Sequence, residues 1–212
     1  MEFQEAILKY AEEPITKQVI RDLLKDYKRP FDKVSELLKQ GLLTQIKNGL
    51  YVAGPKLNIA KPEPFLLANH LLGPSYVSLE AALSYWGMIP EKVYEITSVT
   101  TKRSKKFKTP EGRFSYTHIP LPYYSFGIQR IALTKKQSVL IASKEKALCD
   151  KIVTTSGLFI RSAKQAKELL IEDFRIEKQT LTNLNIKEIK KWLISASKKN
   201  SLSNLIKMLI DL

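Results

Sequence analysis

The chain has 212 residues, 44% of them hydrophobic and 26% charged, enough to bury a core in one large domain or two small ones. Its formal net charge of +14 points to a polyanionic partner, and the absence of a long apolar run argues against a membrane span. The N-terminus is acidic and amphipathic, not a secretory leader, and a lone cysteine, Cys149, cannot form an internal disulfide, so a reducing cytoplasm is the expected compartment.

The excess charge is unevenly placed. Residues 1–60 hold 10 basic and 8 acidic side chains, 61–100 hold 2 and 4, 101–161 hold 13 and 3, and 162–212 hold 10 and 6. A lysine-rich chain evolved for solubility would spread its cations; concentration in 101–161 favours a binding surface.

Phe3, Ala6, Ile7, Tyr10 and Ala11 recur at helical spacing, and Glu13-Pro14 closes this first helix. Thr16 can cap a second helix, whose apolar stripe is Ile15, Val19, Ile20, Leu23 and Leu24, running to about Tyr27. Pro30 suits the first turn of a third helix that buries Phe31, Val34, Leu37 and Leu38 and stops at Gly41. A hairpin follows at once. Asn48-Gly49 is a favoured two-residue type I′ turn, and pairing Lys47 with Leu50 sets Ile46 opposite Tyr51. The other face carries Gln45 and Lys47 but also Leu50 and Val52, an imperfect alternation.

Three helices and a hairpin give the order of a winged helix-turn-helix, in which the third helix enters the major groove and the wing touches the backbone. Thr16, Lys17, Lys47, Asn48 and Gly49 would then hold phosphates through side chains or backbone amides, while Arg29 and Lys33 reach base edges. The same pattern also fits a small helical domain with solvated charges, or a winged helix used for protein contact.

Lys61-Pro62-Glu63-Pro64 reads as a linker, which divides the chain into a DNA-binding domain at 1–60 and an α/β domain at 61–212. A helix through Phe65, Leu66, Ala68, Leu71 and Leu72 stops at Gly73-Pro74, and Ser78 can cap a short helix from Leu79 to Trp86. Residues 94–101 and 113–119 read as an antiparallel strand pair joined through Thr109-Pro110-Glu111-Gly112. Between them Lys102, Arg103, Lys105, Lys106 and Lys108 surround Phe107 in a loop or strand end. This strip is a second basic contact for phosphates, with Phe107 stacking on a base or anchoring the loop; it also reads as a solvated hairpin tip. Strands at 127–131 and 138–142 precede a helix capped by Ser143 whose inward face is Ala147, Leu148, Ile152 and Val153, up to Gly157. From about residue 158 the chain is helical, at 163–171, 186–196 and 202–209. The fold class is α+β.

No reactive constellation stands out. His70 and His118 lack the company of a zinc site, and no phosphate-cradling glycine loop is present. Ser143-x-x-Lys146 matches a serine-hydrolase string but is far better read as a cap; Cys149 packs as a small apolar residue, and Asp150 pairs with a neighbouring lysine. Neither a cofactor nor catalysis is expected, the alternative being a metal-dependent nuclease with a winged-helix targeting domain.

Several segments, in order, are similar to those of the AbiEi family of antitoxins. They are Asn48-Gly49-Leu50-Tyr51, Tyr76-Val77-Ser78-Leu79-Glu80-Ala81-Ala82-Leu83-Ser84-Tyr85-Trp86-Gly87-Met88-Ile89-Pro90, the run 97–107, and Ala142-Ser143-Lys144-Glu145-Lys146-Ala147-Leu148-Cys149-Asp150. The resemblance covers about residues 1–157. It implies a transcriptional autorepressor of a type IV toxin–antitoxin, or abortive-infection, operon. Its winged helix would bind inverted repeats in double-stranded promoter DNA, and its C-terminal domain would counter a nucleotidyltransferase-like toxin.

Overall fold

In the computed structural model, which describes residues 3–212, helices and strands mix in an α+β arrangement. The first stretch runs α1 (Phe3–Leu8), β1 (Ile15–Thr16), α2 (Lys17–Leu23), α3 (Pro30–Lys39), β2 (Leu43–Lys47) and β3 (Leu50–Ala53). Local chemistry sets most of these boundaries. The Thr16 hydroxyl accepts from the Val19 amide at 3.4 Å, filling one of the bonds that a helix start leaves open. Pro30 takes the first turn of α3, and Gly41, at φ +70°, ends it in the left-handed conformation that suits glycine. α1 and α2 are shorter than their apolar spacing predicts. Tyr10 and Tyr27 lie beyond the helix ends, on turns whose amides reach back three residues, to Ile7 and Leu24.

The hairpin differs from expectation in its register. Lys47 does face Leu50, but Gln45, not Ile46, lies opposite Tyr51, and Ile46 is the extra residue of a bulge. Of the two turn residues only Gly49 takes a positive φ, +78°, so the turn is not type I′. β3 is central, antiparallel to β1 on one side and β2 on the other. Both hairpin faces are covered. Leu43 and Tyr51 pack with Ile7, Ile15, Ile20, Leu24 and Leu37, whereas Ile46, Leu50 and Val52 join a larger cluster with Leu67 and Leu71.

That cluster is built around a six-stranded sheet. α4 (Pro64–Leu71), β4 (Ser75–Val77), α5 (Leu79–Tyr85), β5 (Glu95–Thr100), β6 (Lys105–Thr109), β7 (Gly112–His118), β8 (Ile128–Ala132), β9 (Ser138–Ala142) and α6 (Lys144–Thr154) follow in sequence, and the strand order is β6-β7-β5-β4-β9-β8. The expected antiparallel pairing of 94–101 with 113–119 is overturned: β5 and β7 are parallel neighbours, with Thr97 beside Ser115. The antiparallel partner of β7 is β6, through a two-residue turn at Pro110-Glu111 with Thr109 facing Gly112. Residues 101–104 carry the chain past the position that β7 fills. At about 3.3 Å per extended residue they can span two strand spacings of about 4.8 Å.

α7 (Ala163–Glu168) runs into a π-helical turn, Leu169–Asp173, followed by α8 (Lys178–Thr182), α9 (Ile186–Trp192) and α10 (Lys199–Ile210). α8 buries only Leu181, too little to leave a periodic signal. Trp192, Leu202 and Leu205 are buried in the same cluster as Leu148 and Ile152 of α6. Among the described residues no helix is long and apolar enough to cross a membrane.

Candidate nucleic-acid interface

The start of α2 and the hairpin tip meet directly. The Lys17 amide donates to the Gly49 carbonyl at 2.9 Å, and a Cβ at Gly49 would lie 3.6 Å from that of Lys17. Thr16, Lys17, Asn48 and Gly49 are thus brought onto one edge. The Lys17 ammonium also stands 5.4 Å from the centroid of the Phe31 ring, which is 64% exposed at the head of α3. Arg29 sits at the same end, solvent-exposed and 3.8 Å from Asp32. Lys33 is more constrained: it donates to Glu36 at 2.8 Å and lies over the Tyr27 ring. The Glu36 bond raises its pKa, and its charge is locally balanced.

Lys47 is differently placed. Its ammonium donates to the carbonyl of Leu71, the last residue of α4, where the helix leaves carbonyls without internal partners. Burial lowers its pKa, and Lys102 and Lys105 lower it further by repulsion. Lys102 and Lys105 therefore stand within electrostatic reach of the hairpin, which brings two sequence features 55 residues or more apart near one another. Such a grouping favours an anion, because a phosphate placed among the three ammoniums relieves their repulsion.

The strip itself does not present all its cations together. Residues 105–109 are a strand, so side chains alternate. Lys105 faces Tyr116 and Phe107 faces Phe114 across β6–β7, on the side toward α4, where the Tyr116 hydroxyl donates to the Ala68 carbonyl at 2.6 Å. Lys106 and Lys108 pair with Ser115 and Arg113 on the reverse side. Phe107 packs edge-on against Tyr116 with centroids 5.7 Å apart, and the Lys105 ammonium sits 4.9 Å from its ring, so its role is to anchor the strand. The loop carrying Lys102 and Arg103 is tied down by the His118 amide, which donates to the Ser104 hydroxyl at 2.9 Å.

The densest titratable cluster lies apart from this surface and is closed to solvent. Lys146 and Asp150, one helical turn apart on α6, are fully buried with Nζ 2.8 Å from Oδ1. Asp150 Oδ2 accepts from the Tyr76 hydroxyl at 3.0 Å and the Ser78 hydroxyl at 2.8 Å. Lys146 also donates to the Tyr123 carbonyl at 2.9 Å, its ammonium 3.4 Å from that ring's centroid. Burial pushes Asp150 up and Lys146 down, and their attraction opposes both shifts. Ser78 therefore does not cap α5 with its side chain; Thr97 does, accepting from the Ala81 amide at 3.0 Å while donating to the Ser78 carbonyl. Ser143 does cap α6, accepting from the Lys146 amide at 3.2 Å. Cys149 is buried, its thiol pushed up to about 12 by desolvation, which removes it as a nucleophile. Buried in this way, the cluster ties α6 to β4 and to the residues before α5. Among the described residues no three His, Cys, Asp or Glu side chains gather as metal ligands. Neither a known family model nor a curated protein matches the chain.

Proposed function

We propose that this chain is a sequence-specific DNA-binding autorepressor and antitoxin of the AbiEi kind, with α1–α3 and the β2–β3 hairpin acting as a winged helix-turn-helix and residues 61–212 as the antitoxin domain. The observation that carries the reading is the joining of the hairpin tip to the start of α2 by the Lys17–Gly49 bond, beside a surface shared by Lys47, Lys102 and Lys105. α3 would enter the major groove with Arg29 leading, while Thr16, Lys17 and the tip amides hold phosphates on its flank. The first 60 residues carry little net charge, so a large part of the affinity would come from Lys102 and Lys105. Repression of the operon and restraint of a nucleotidyltransferase-like toxin would then reside in one chain, without a cofactor.

Gel shifts with the DNA upstream of the protein's own gene, set against shuffled DNA of equal composition, test the first half of the proposal. A preference of about 10³ or more for the native sequence is expected. Equal affinity for both would overturn sequence-specific recognition. The antitoxin half is tested by co-expressing the full chain with the toxin encoded by the neighbouring reading frame, where rescue of growth is expected and unrelieved toxicity would overturn it.

A further inference from the structure

The reverse side of the β6–β7–β5 edge forms, with α5 and α6, a cleft of about 620 Å³ that meets the proposed DNA surface at Lys105 and is otherwise unused by the DNA-binding reading. Ser115 and Thr117 of β7 share this side with Thr97 of β5, as strand alternation and the Thr97–Ser115 register require. Lys106 stands beside Ser115 across the β6–β7 ladder, and the far wall carries Lys151, which is ion-paired with Glu80. A cleft this size lies within the roughly 300–1,000 Å³ usual for small-molecule sites. Its cations and hydroxyls suit an anion bearing several oxygens.

The cleft does not end at the Glu80–Lys151 pair. The same two residues border a second recess of about 220 Å³, whose walls are the apolar side chains Leu83, Ile89, Val93 and Phe174. Its rim carries Glu91 and Asp173; Glu91 is engaged by Arg175, which leaves Asp173 as the carboxylate placed to accept from a ligand. One chamber is therefore cationic and rich in hydroxyls, and the other is apolar with a carboxylate at its edge. A phosphate or a nucleic-acid backbone alone would use only the first. A ligand with phosphates at one end and a flat, apolar, N–H-donating ring at the other uses both.

We infer that this two-chambered groove is a nucleotide site, with the phosphates held by Lys106, Ser115 and Thr117 and the base seated against Phe174 with its N–H edge toward Asp173. It adjoins the Lys47–Lys102–Lys105 surface at Lys105, which also borders the cleft, but Lys106 lies on the opposite side of β6 from Lys105, whose ammonium rests on the Phe107 ring. Lys106→Ala thus tests nucleotide binding without altering Lys47, Lys102 or Lys105.

Equilibrium dialysis of the full chain against GTP, ATP, inorganic tripolyphosphate and a roughly ten-nucleotide single strand decides the matter. Lys106→Ala and Asp173→Asn alter exposed side chains, and unchanged thermal melting of each would show that the fold is kept. Lys106→Ala should weaken both nucleoside triphosphate and tripolyphosphate by about tenfold or more, a loss near 1.4 kcal/mol. Asp173→Asn should weaken at least one nucleoside triphosphate while leaving tripolyphosphate unaffected. Absence of saturable nucleotide binding at about 1 mM, or binding indifferent to Lys106, would overturn the assignment. Tripolyphosphate binding as tightly as both nucleotides would overturn the role of the base recess. Tighter, Lys106-dependent binding of the oligonucleotide would hand the groove to a nucleic-acid strand instead.

Discussion

Replacing Asp150 with Asn should unsettle the whole sheet–helix interface, because the carboxylate accepts from two hydroxyls and is ion-paired with a buried ammonium. Its oxygens meet Lys146 Nζ at 2.8 Å, the Tyr76 hydroxyl at 3.0 Å and the Ser78 hydroxyl at 2.8 Å, in a site where both charged side chains are fully buried. The amide keeps the shape and one acceptor oxygen but removes the charge. Lys146 is then left with the Tyr123 carbonyl and ring. Breaking a buried pair from one side costs about 3–5 kcal/mol, against a total stability of about 5–15 kcal/mol for a protein of ordinary robustness. Lys146→Met approaches the pair from the other side. Burial already raises the Asp150 pKa, and losing the ammonium, whose attraction lowers it, raises it further. A carboxyl with a folded pKa above its unfolded one binds protons more readily when folded, so stability falls as pH rises from the ordinary carboxylate range through the folded value. The deficit of Lys146→Met relative to the parent should therefore shrink as the pH falls toward the ordinary carboxylate range. The double variant Lys146→Met/Asp150→Leu leaves no charge stranded and should lose far less than the two single losses together. Urea unfolding followed by tryptophan fluorescence, at constant m, measures all three. A loss below about 1 kcal/mol for Asp150→Asn, or additive losses in the double variant, would refute the account of a coupled buried node.

The alternation of β6 makes a sharp prediction about DNA. Lys102→Ala/Lys105→Ala should lower affinity and reduce the salt slope by roughly two, whereas Lys106→Ala/Lys108→Ala should change the slope by well under one; equal effects in gel shifts over a salt series would refute the division of faces. Gly54→Ala should destabilise the hairpin by about 2 kcal/mol or more, since a Cβ there would stand 2.2 Å from the Gly41 carbonyl oxygen and 2.6 Å from the Leu42 carbonyl carbon. An unaltered melting temperature would deny that close approach. Cys149 should resist maleimide in the folded protein and react at the rate of global unfolding, because it is buried and its thiol is held mostly protonated. Rapid labelling without denaturant would show that the core opens locally.

What could be read in the sequence follows the range of the interaction responsible. The Thr16 and Ser143 caps, Pro30 at a helix start and Gly41 at a helix end depend on neighbours within four residues, and all stand where expected. The partner of β7 does not. Alternation in Phe114 and Tyr116 says which side is buried and nothing about which strand lies alongside, so β5 is mistaken for the antiparallel neighbour that β6 supplies. Ser78 fails for a related reason. A serine before an apolar helix is a plausible cap, but an acceptor 72 residues away takes its hydroxyl, and Thr97 completes the helix end from another strand.

The proposed binding surface is legible as a set of cations but not as an arrangement, and one anomaly in the hairpin holds the missing information. Leu50 and Val52 fall on the side that a free-standing wing would leave polar, and the reason is that this side is not free. Together with Ile46 they enter the cluster containing Leu67 and Leu71, and Lys47 is drawn onto the end of α4. Docking the hairpin there sets Lys47, beside the turn, within electrostatic reach of Lys102 and Lys105, with the turn itself against the start of α2. A hairpin apolar on both sides should thus be read as one clamped between two cores, with only its tip available to a ligand. On that reasoning the orientation of α3 relative to the strip is fixed by packing, so under the proposed function both contacts would meet DNA already aligned, with little ordering entropy left to lose.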